Sequence, residues 1–265
     1  MSKTLGLALG SGGARGVAHA GFLLALEEEG IVPDYIAGCS MGSVVGGCFA
    51  SGMKALEIKE AILGIKMLDL IDMSVSPLTQ MSLLRSKKMS DLLIAYLGDT
   101  NIEDMKIPFR CVATDLKSGK LHIFKDGNAV KAVQASSTIP TIFRPVEYNS
   151  GLYVDGGCLC RVPVKIVKDM GADVVVAVDA LKNASEPIDE VHNIFSMTLR
   201  VFDIMDTNQT NMRRELEKGL CDLWLEPEMK GMSQYIIKDL DKAFDSGYKL
   251  GKENLKNIKK LIERK

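Results

Sequence analysis

A chain of 265 residues, 46% apolar and 25% charged, carries enough apolar material for one sizeable core, and its length suits one large α/β domain better than two small ones. A formal net charge of −1 leaves no electrostatic footprint for a nucleic-acid partner, and no apolar run is long enough to span a bilayer.

Residues 4–9, "TLGLAL", are short and almost wholly apolar, which predicts a strand buried on both faces rather than a secretory core with a cleavage site. The glycine-rich turn "GSGGARG" follows, then a helix from about Val17 to Glu29 that stops at Gly30. "DYIAG" predicts the second strand, 41–51 a helix, and Lys54 the start of a shorter one. Residues 66–97 contain several methionines and the basic cluster "RSKK". They read as a variable excursion closing with a helix near 87–97. Its apolar side either lies on the core or forms a flexible wall or lid around an acyl-chain site. Strands are predicted at 109–116 and 120–124, a short helix at "AVKAVQASS", and a strand in "GLYVDGG" that ends at Asp155. "ADVVVAVDA" has the unbroken apolar run of a parallel strand. A long helical pattern runs from Asp189 to about Leu220, with Val191, Ile194, Phe195, Phe202, Met205 and Met212. The last element, about 236–264, spaces Ile237, Leu240, Phe244, Tyr248, Gly251, Leu255, Ile258 and Ile262 by threes and fours, as an amphipathic helix does. Its basic end complements the helix dipole; peripheral docking at the anionic inner face of a membrane is the sharper alternative. Strands alternating with helices, without a repeat or linker, predict one three-layer α/β/α domain over 1–265 with a mainly parallel central sheet.

Of the six cysteines, Cys39, Cys48, Cys111 and Cys221 sit singly in apolar stretches and read as buried free thiols of a reducing, cytoplasmic setting. Cys158 and Cys160 lack the second Cys or His pair of a zinc site, and neither "DLIDMS" nor "DLDKAFD" has the ligand pattern of a calcium loop. No metal or cofactor is expected, and the sequence sets no oligomeric state.

Two motifs carry chemistry. Gly10, Gly12, Gly13 and Gly16 follow a buried strand and open a helix, an arrangement that points backbone N–H groups at an anion. That loop fits an oxyanion hole or, more loosely, a nucleotide cradle in a non-catalytic binding protein. Some thirty residues on, "GCSMG" places Ser40 between Gly38 and Gly42 at a strand-to-helix junction, the G-x-S-x-G context of a nucleophile elbow. Such a serine needs a base. His19 lies in the first turns of a helix, His122 on a polar strand and His192 on a long helix, and each suits a structural role better. Asp155 ends a strand and is followed by Gly156 and Gly157, which leave its approach open. Were its strand parallel to that of Ser40, both would stand at one sheet edge. A shielded carboxylate beside a neutral hydroxyl has a raised pKa and can serve as the base; the plainer reading is a turn aspartate.

Together, "GSGGARG", "GCSMG", "ASSTIPTIFRP" and "DGG" resemble, in order, the patatin-like phospholipase family, in particular compact bacterial members similar to the catalytic domain of neuropathy target esterase. The resemblance covers about residues 1–180 and implies a patatin-like fold and a Ser40–Asp155 dyad acting without histidine. It also implies an oxyanion hole from Gly10, Gly12, Gly13 and Arg15 with the Met41 N–H, and fatty-acyl esters of phospholipids or lysophospholipids as substrates. "CRVPV" departs from the family, with Arg161 near a position where many relatives have asparagine. That bears on the polarity of the pocket edge and leaves the dyad intact.

Overall fold

The computed structural model describes residues 2–64, 87–181, 191 and 193–263. The chain opens with β1 (Leu5–Leu9), a 3-10 turn (Gly13–Val17), α1 (Ala18–Glu28), β2 (Tyr35–Cys39), α2 (Met41–Ser51) and α3 (Ala55–Leu63). After the excursion come α4 (Lys87–Leu97), β3 (Phe109–Asp115), β4 (Lys120–Phe124), α5 (Ala129–Ser136), β5 (Val146–Tyr148) and β6 (Gly151–Asp155). The last elements are α6 (Val164–Lys168), β7 (Val174–Val178), α7 (Ile194–Leu216), β8 (Leu223–Leu225) and α8 (Leu240–Glu263). Of the expected 66–97 excursion, residues 66–86 lie outside the described residues, as do His192 and Asp189; 87–97 is helical.

Among the described residues eight strands form one sheet in the order β5-β6-β3-β2-β1-β7-β8, with β4 also on β3. The β1–β2, β1–β7, β2–β3 and β7–β8 pairs are parallel. Those of β3 with β4 and β6, and of β5 with β6, are antiparallel.

The sheet separates two apolar layers because side chains alternate along each strand. Leu5, Leu7, Leu9, Ile36, Val174, Val176 and Val178 face the larger layer, which holds buried residues of α1–α5 and α8. Ala8, Ala37, Cys39, Val175 and Ala177 face a thinner layer built on Val164, Ile166 and Val167 of α6. The three-layer prediction therefore describes the protein, with unequal layers.

Two helix starts and two short strands differ from expectation. The first helix begins at Ala18, after the 3-10 turn. The C-terminal helix begins at Leu240, because Asp239 adopts φ 57 and interrupts the regular backbone before it. Strands β5 and β8, three residues each, are too short for any periodicity to announce them.

The orientation of β6 corrects the reasoning about Asp155. It runs antiparallel to β3, and hence to β2. β4 occupies one edge of β3 along Cys111–Asp115. The opposite edge is shared: β2 pairs with Phe109–Val112 and β6 with Ala113–Asp115. The two strands thus meet head to head, Cys39 opposite Val112 and Asp155 opposite Ala113. Asp155 arrives beside Ser40 from the far side of the sheet edge, not along it.

Candidate active site

Ser40 sits between β2 and α2 at φ 53 and ψ −125, a conformation rare for a residue with a side chain. The turn is possible because its flanks lack side chains. A Cβ on Gly38 would lie 2.6 Å from the Gly42 carbonyl oxygen, and one on Gly42 would lie 2.2 Å from that of Leu9. The Ser40 N–H donates to Ser136 Oγ at 3.0 Å. Its carbonyl accepts from Ser43 Oγ at 2.6 Å.

Asp155 is buried at the end of β6. Its backbone is fixed on both sides: the N–H donates to the Thr138 carbonyl at 2.8 Å and its own carbonyl accepts from Thr114 Oγ1 at 3.0 Å. Burial pushes the carboxyl up to about 6, while hydrogen bonds from the Ser40 hydroxyl, the Gly157 N–H and the Cys39 thiol pull it down. The Gly157 bond is 2.8 Å. The thiol, 3.8 Å from Asp155 Oδ1, in turn accepts from Ser11 Oγ at 3.1 Å. A hydroxyl, a thiol and a carboxylate thus form a line that ends on Asp155.

The glycine loop packs directly on this elbow. A Cβ on Gly16 would come 2.5 Å from Met41 Cβ. Gly13 has φ 50, and a Cβ there would lie 2.2 Å from the Gln234 carbonyl oxygen. The N–H groups of the loop divide into two sets. Those of Gly10, Ser11, Ala14 and Arg15 donate to the carbonyls of Val178, Arg161, Gln234 and Gly12. Those of Gly12 and Gly13, with that of Met41 at the first position of α2, have no such commitment among the described residues. The Arg15 side chain is buried and donates through Nε to the Met232 carbonyl at 2.9 Å, and through Nη2 to the same oxygen.

Neither of the two histidines among the described residues hydrogen-bonds Asp155. His19 is fully buried, and its Nε2 lies 2.8 Å from the Gly10 carbonyl, so the ring pins the base of the glycine loop. Burial holds its pKa down at about 4, against the Gly10 hydrogen bond that raises it. His122 lies against Phe124 and Tyr153, with ring centroids 4.4 and 5.0 Å away. Arg161 is also buried; it donates to Asp179 at 2.7 Å and Asp206 at 2.9 Å, tying the end of β7 to α7.

Beside Ser40 opens an apolar chamber of about 300 Å³, lined by Met41, Val44, Ile58, Leu93, Phe143 and Leu199 among others. That is the lower end of volumes typical for small-molecule sites. α4 contributes Leu92, Leu93 and Tyr96 to the lining. A smaller polar recess of about 30 Å³ joins Ser11, Ser40, Asp155, Asp203, Asp206 and Tyr235. Cys39, Ser136, Thr138 and Tyr235 are the site residues that the sequence reading missed. Cys39 lies inside the elbow motif and Ser136 and Thr138 inside "ASST", but their contacts depend on strand register. Among the described residues no group of three or more His, Cys, Asp or Glu side chains could hold a metal ion.

The fold thus gathers a serine on a strained strand-to-helix turn, a buried aspartate and a glycine loop at one place in an α/β protein. The chain belongs to the patatin-like phospholipase family, whose model matches residues 7–168. It is 39% identical over 187 residues to an uncharacterised NTE family protein of Mycobacterium tuberculosis, covering 70% of this chain and 51% of that protein. To patatin-like phospholipase domain-containing protein 6 of Mus musculus it is 33% identical over 182 residues, covering 67% of this chain and 13% of that one. To lysophospholipase NTE1 of Coccidioides immitis it is 27% identical over 286 residues, covering 97% of this chain and 18% of that one. The chain therefore spans about half, or less, of the length of these relatives. The crystal structure of VipD from Legionella pneumophila shares the fold, with a TM-score of 0.60 at 15% identity over 97% of this chain and 67% of that one.

Proposed function

We propose that this protein is a serine acyl hydrolase that cleaves fatty-acyl esters of phospholipids or lysophospholipids. The observation that carries this reading is Ser40 lining both an apolar chamber and the small recess that holds the buried Asp155 carboxyl. Ser40 Oγ attacks the ester carbonyl while Asp155 accepts its proton. The N–H groups of Gly12, Gly13 and Met41 stabilise the tetrahedral oxyanion. The proton on Asp155 passes to the leaving alkoxide as the ester C–O bond breaks, which leaves an acyl-serine. Asp155 then takes a proton from water, whose hydroxide attacks the acyl carbonyl, and the proton returns to Ser40 as the fatty acid leaves. Gly10 and Arg15 act in this scheme by shaping the loop, since their N–H groups are engaged within the protein. That engagement also argues against the loop as a nucleotide cradle. Leu92, Leu93 and Tyr96 of α4 serve as part of the chamber wall.

The names of the relatives support the lipid substrate class, and the chamber supports it independently: each methylene of an acyl chain buried there contributes about 0.8 kcal/mol. A fluorophosphonate probe should label Ser40 in the native protein. Ser40→Ala should fold, escape labelling and hydrolyse a short-chain ester at the background rate. Undiminished turnover by a folded Ser40→Ala chain would overturn the reading.

A further inference from the structure

Helix α7 is built inside out. Its inward face carries Asp203, Asp206, Thr207 and Thr210, the last three buried. Asp206 accepts from Arg161 at 2.9 Å, and Asp203 from Gln234 Nε2 at 2.7 Å and from the Tyr235 hydroxyl. Its outward face carries Ile194, Met197, Val201, Met205, Met212 and Leu216, all exposed, up to 83% at Leu216. Steps of three, four and seven place these side chains in one stripe. From Ile194 to Met212 no exposed position of the helix bears a charge. A surface helix of a globular protein has the reverse arrangement, so this face calls for an apolar covering.

The position of the helix and the size of the stripe choose the covering. Leu199, on the inward side of α7, lines the acyl chamber, while Phe202, Asp203 and Asp206 line the polar recess beside Ser40 and Asp155. Exposed Ile236 adjoins Ile237 of the chamber wall. Whatever covers α7 therefore lies one helix away from the reacting serine. The 23-residue helix is about 35 Å long, so a stripe about 10 Å wide offers roughly 350 Å². A stable contact with a second copy needs about 800 Å² per partner. A lipid surface has no such threshold, and an uncharged stripe suits its acyl layer. The basic C-terminal helix is a poorer candidate: Lys252 and Lys259 of α8 are paired with Glu28 and Glu29 of the α1 end.

We propose that the outward face of α7 docks the protein on the lipid surface that holds its substrate, by apolar insertion rather than by attraction to anionic headgroups. The proposal rests on the lipid-ester reading above, and the test separates the two. The full chain carrying Ser40→Ala, which binds without turnover, is floated with zwitterionic phosphatidylcholine vesicles at about 0.1 M and about 1 M salt. Binding is expected at both. Adding Val201→Glu and Met205→Glu should weaken it by on the order of tenfold or more, because two buried apolar side chains are lost from the contact. In the chain with Ser40 intact, the same two substitutions should leave soluble short-chain ester hydrolysis within about twofold and lower hydrolysis of vesicle lipid. That soluble activity also reports that the variant is folded. Four outcomes overturn the proposal: no binding by the parent, equal binding by the variant, binding lost at high salt, or a dimer of the parent that the substitutions dissociate. Vesicle binding that α7 substitutions abolish, in a chain without ester hydrolysis or Ser40 labelling, would support docking and sink the enzyme reading alone.

Discussion

At the residue scale, burial pushes the Asp155 carboxyl up to about 6, and in the proposed reaction this carboxyl is the base. As the base it must be ionised, so kcat/KM for a soluble ester should rise with pH through an acid limb centred near 6. Cys39→Ala removes a donor to the carboxylate and should move that limb to higher pH, whereas Cys39→Ser keeps a donor and should not. A pH–rate profile of the three chains checks this. Asp155→Asn should lower the rate by at least ~10²-fold, since the amide cannot take the proton. Its effect on stability has the opposite sign. The folded pKa lies above the ordinary 3.8, so ionising Asp155 in place costs about 3 kcal/mol, a cost absent below pH 4 and complete above pH 6. Asp155→Asn should therefore melt higher than the parent at pH 8 and match it near pH 4. Ser40 and Asp155 were legible in the sequence because glycines beside them strip the backbone for close approach. Cys39 and Ser136 were not, because their contacts exist only once β2, β6 and α5 are in register.

At the scale of elements, hydrophobic periodicity located nearly every helix and strand of more than three residues but could not assign their faces. The pattern from Asp189 to Leu220 is amphipathic, and the sequence alone cannot say that Ile194, Met205 and Met212 point outward. Only the acids facing Arg161 and Tyr235 reveal it. The direction of β6 was equally hidden, since a strand reads the same either way along the sheet. The α1–α8 contact shows how glycine spacing carries information that hydropathy does not. A Cβ on Gly21 would lie 2.0 Å from the Phe244 carbonyl oxygen, and one on Gly247 would lie 1.9 Å from that of Ala18. The backbones touch, with no side chain between them to yield. Gly247→Val should destabilise the protein by about 3 kcal/mol, the upper end for overpacking, read as a lower urea midpoint.

At the scale of the whole molecule, the proposed reaction draws the positive potential for its oxyanion from backbone N–H groups, which the fold orients at no reorganisation cost. Hydrolysis of a soluble ester should therefore be unchanged by excess EDTA and by added calcium; activity lost in EDTA and restored by calcium would place the charge-stabilising element elsewhere. The sequence of strands along the sheet differs from their order in the chain, and this governs how the protein is made. β1 lies between β2 and β7, although β7 comes 169 residues after it, counting from Leu9 to Val178. A ribosome adding about 5–20 residues per second leaves roughly 10–30 s between the two. Throughout that interval one edge of an almost wholly apolar strand has no native neighbour and can pair with another nascent chain. Until Val174–Val178 emerges, the growing polypeptide should be prone to stick to its siblings. A chain halted before Val174 keeps that edge open permanently and should scatter light under conditions where the full chain does not.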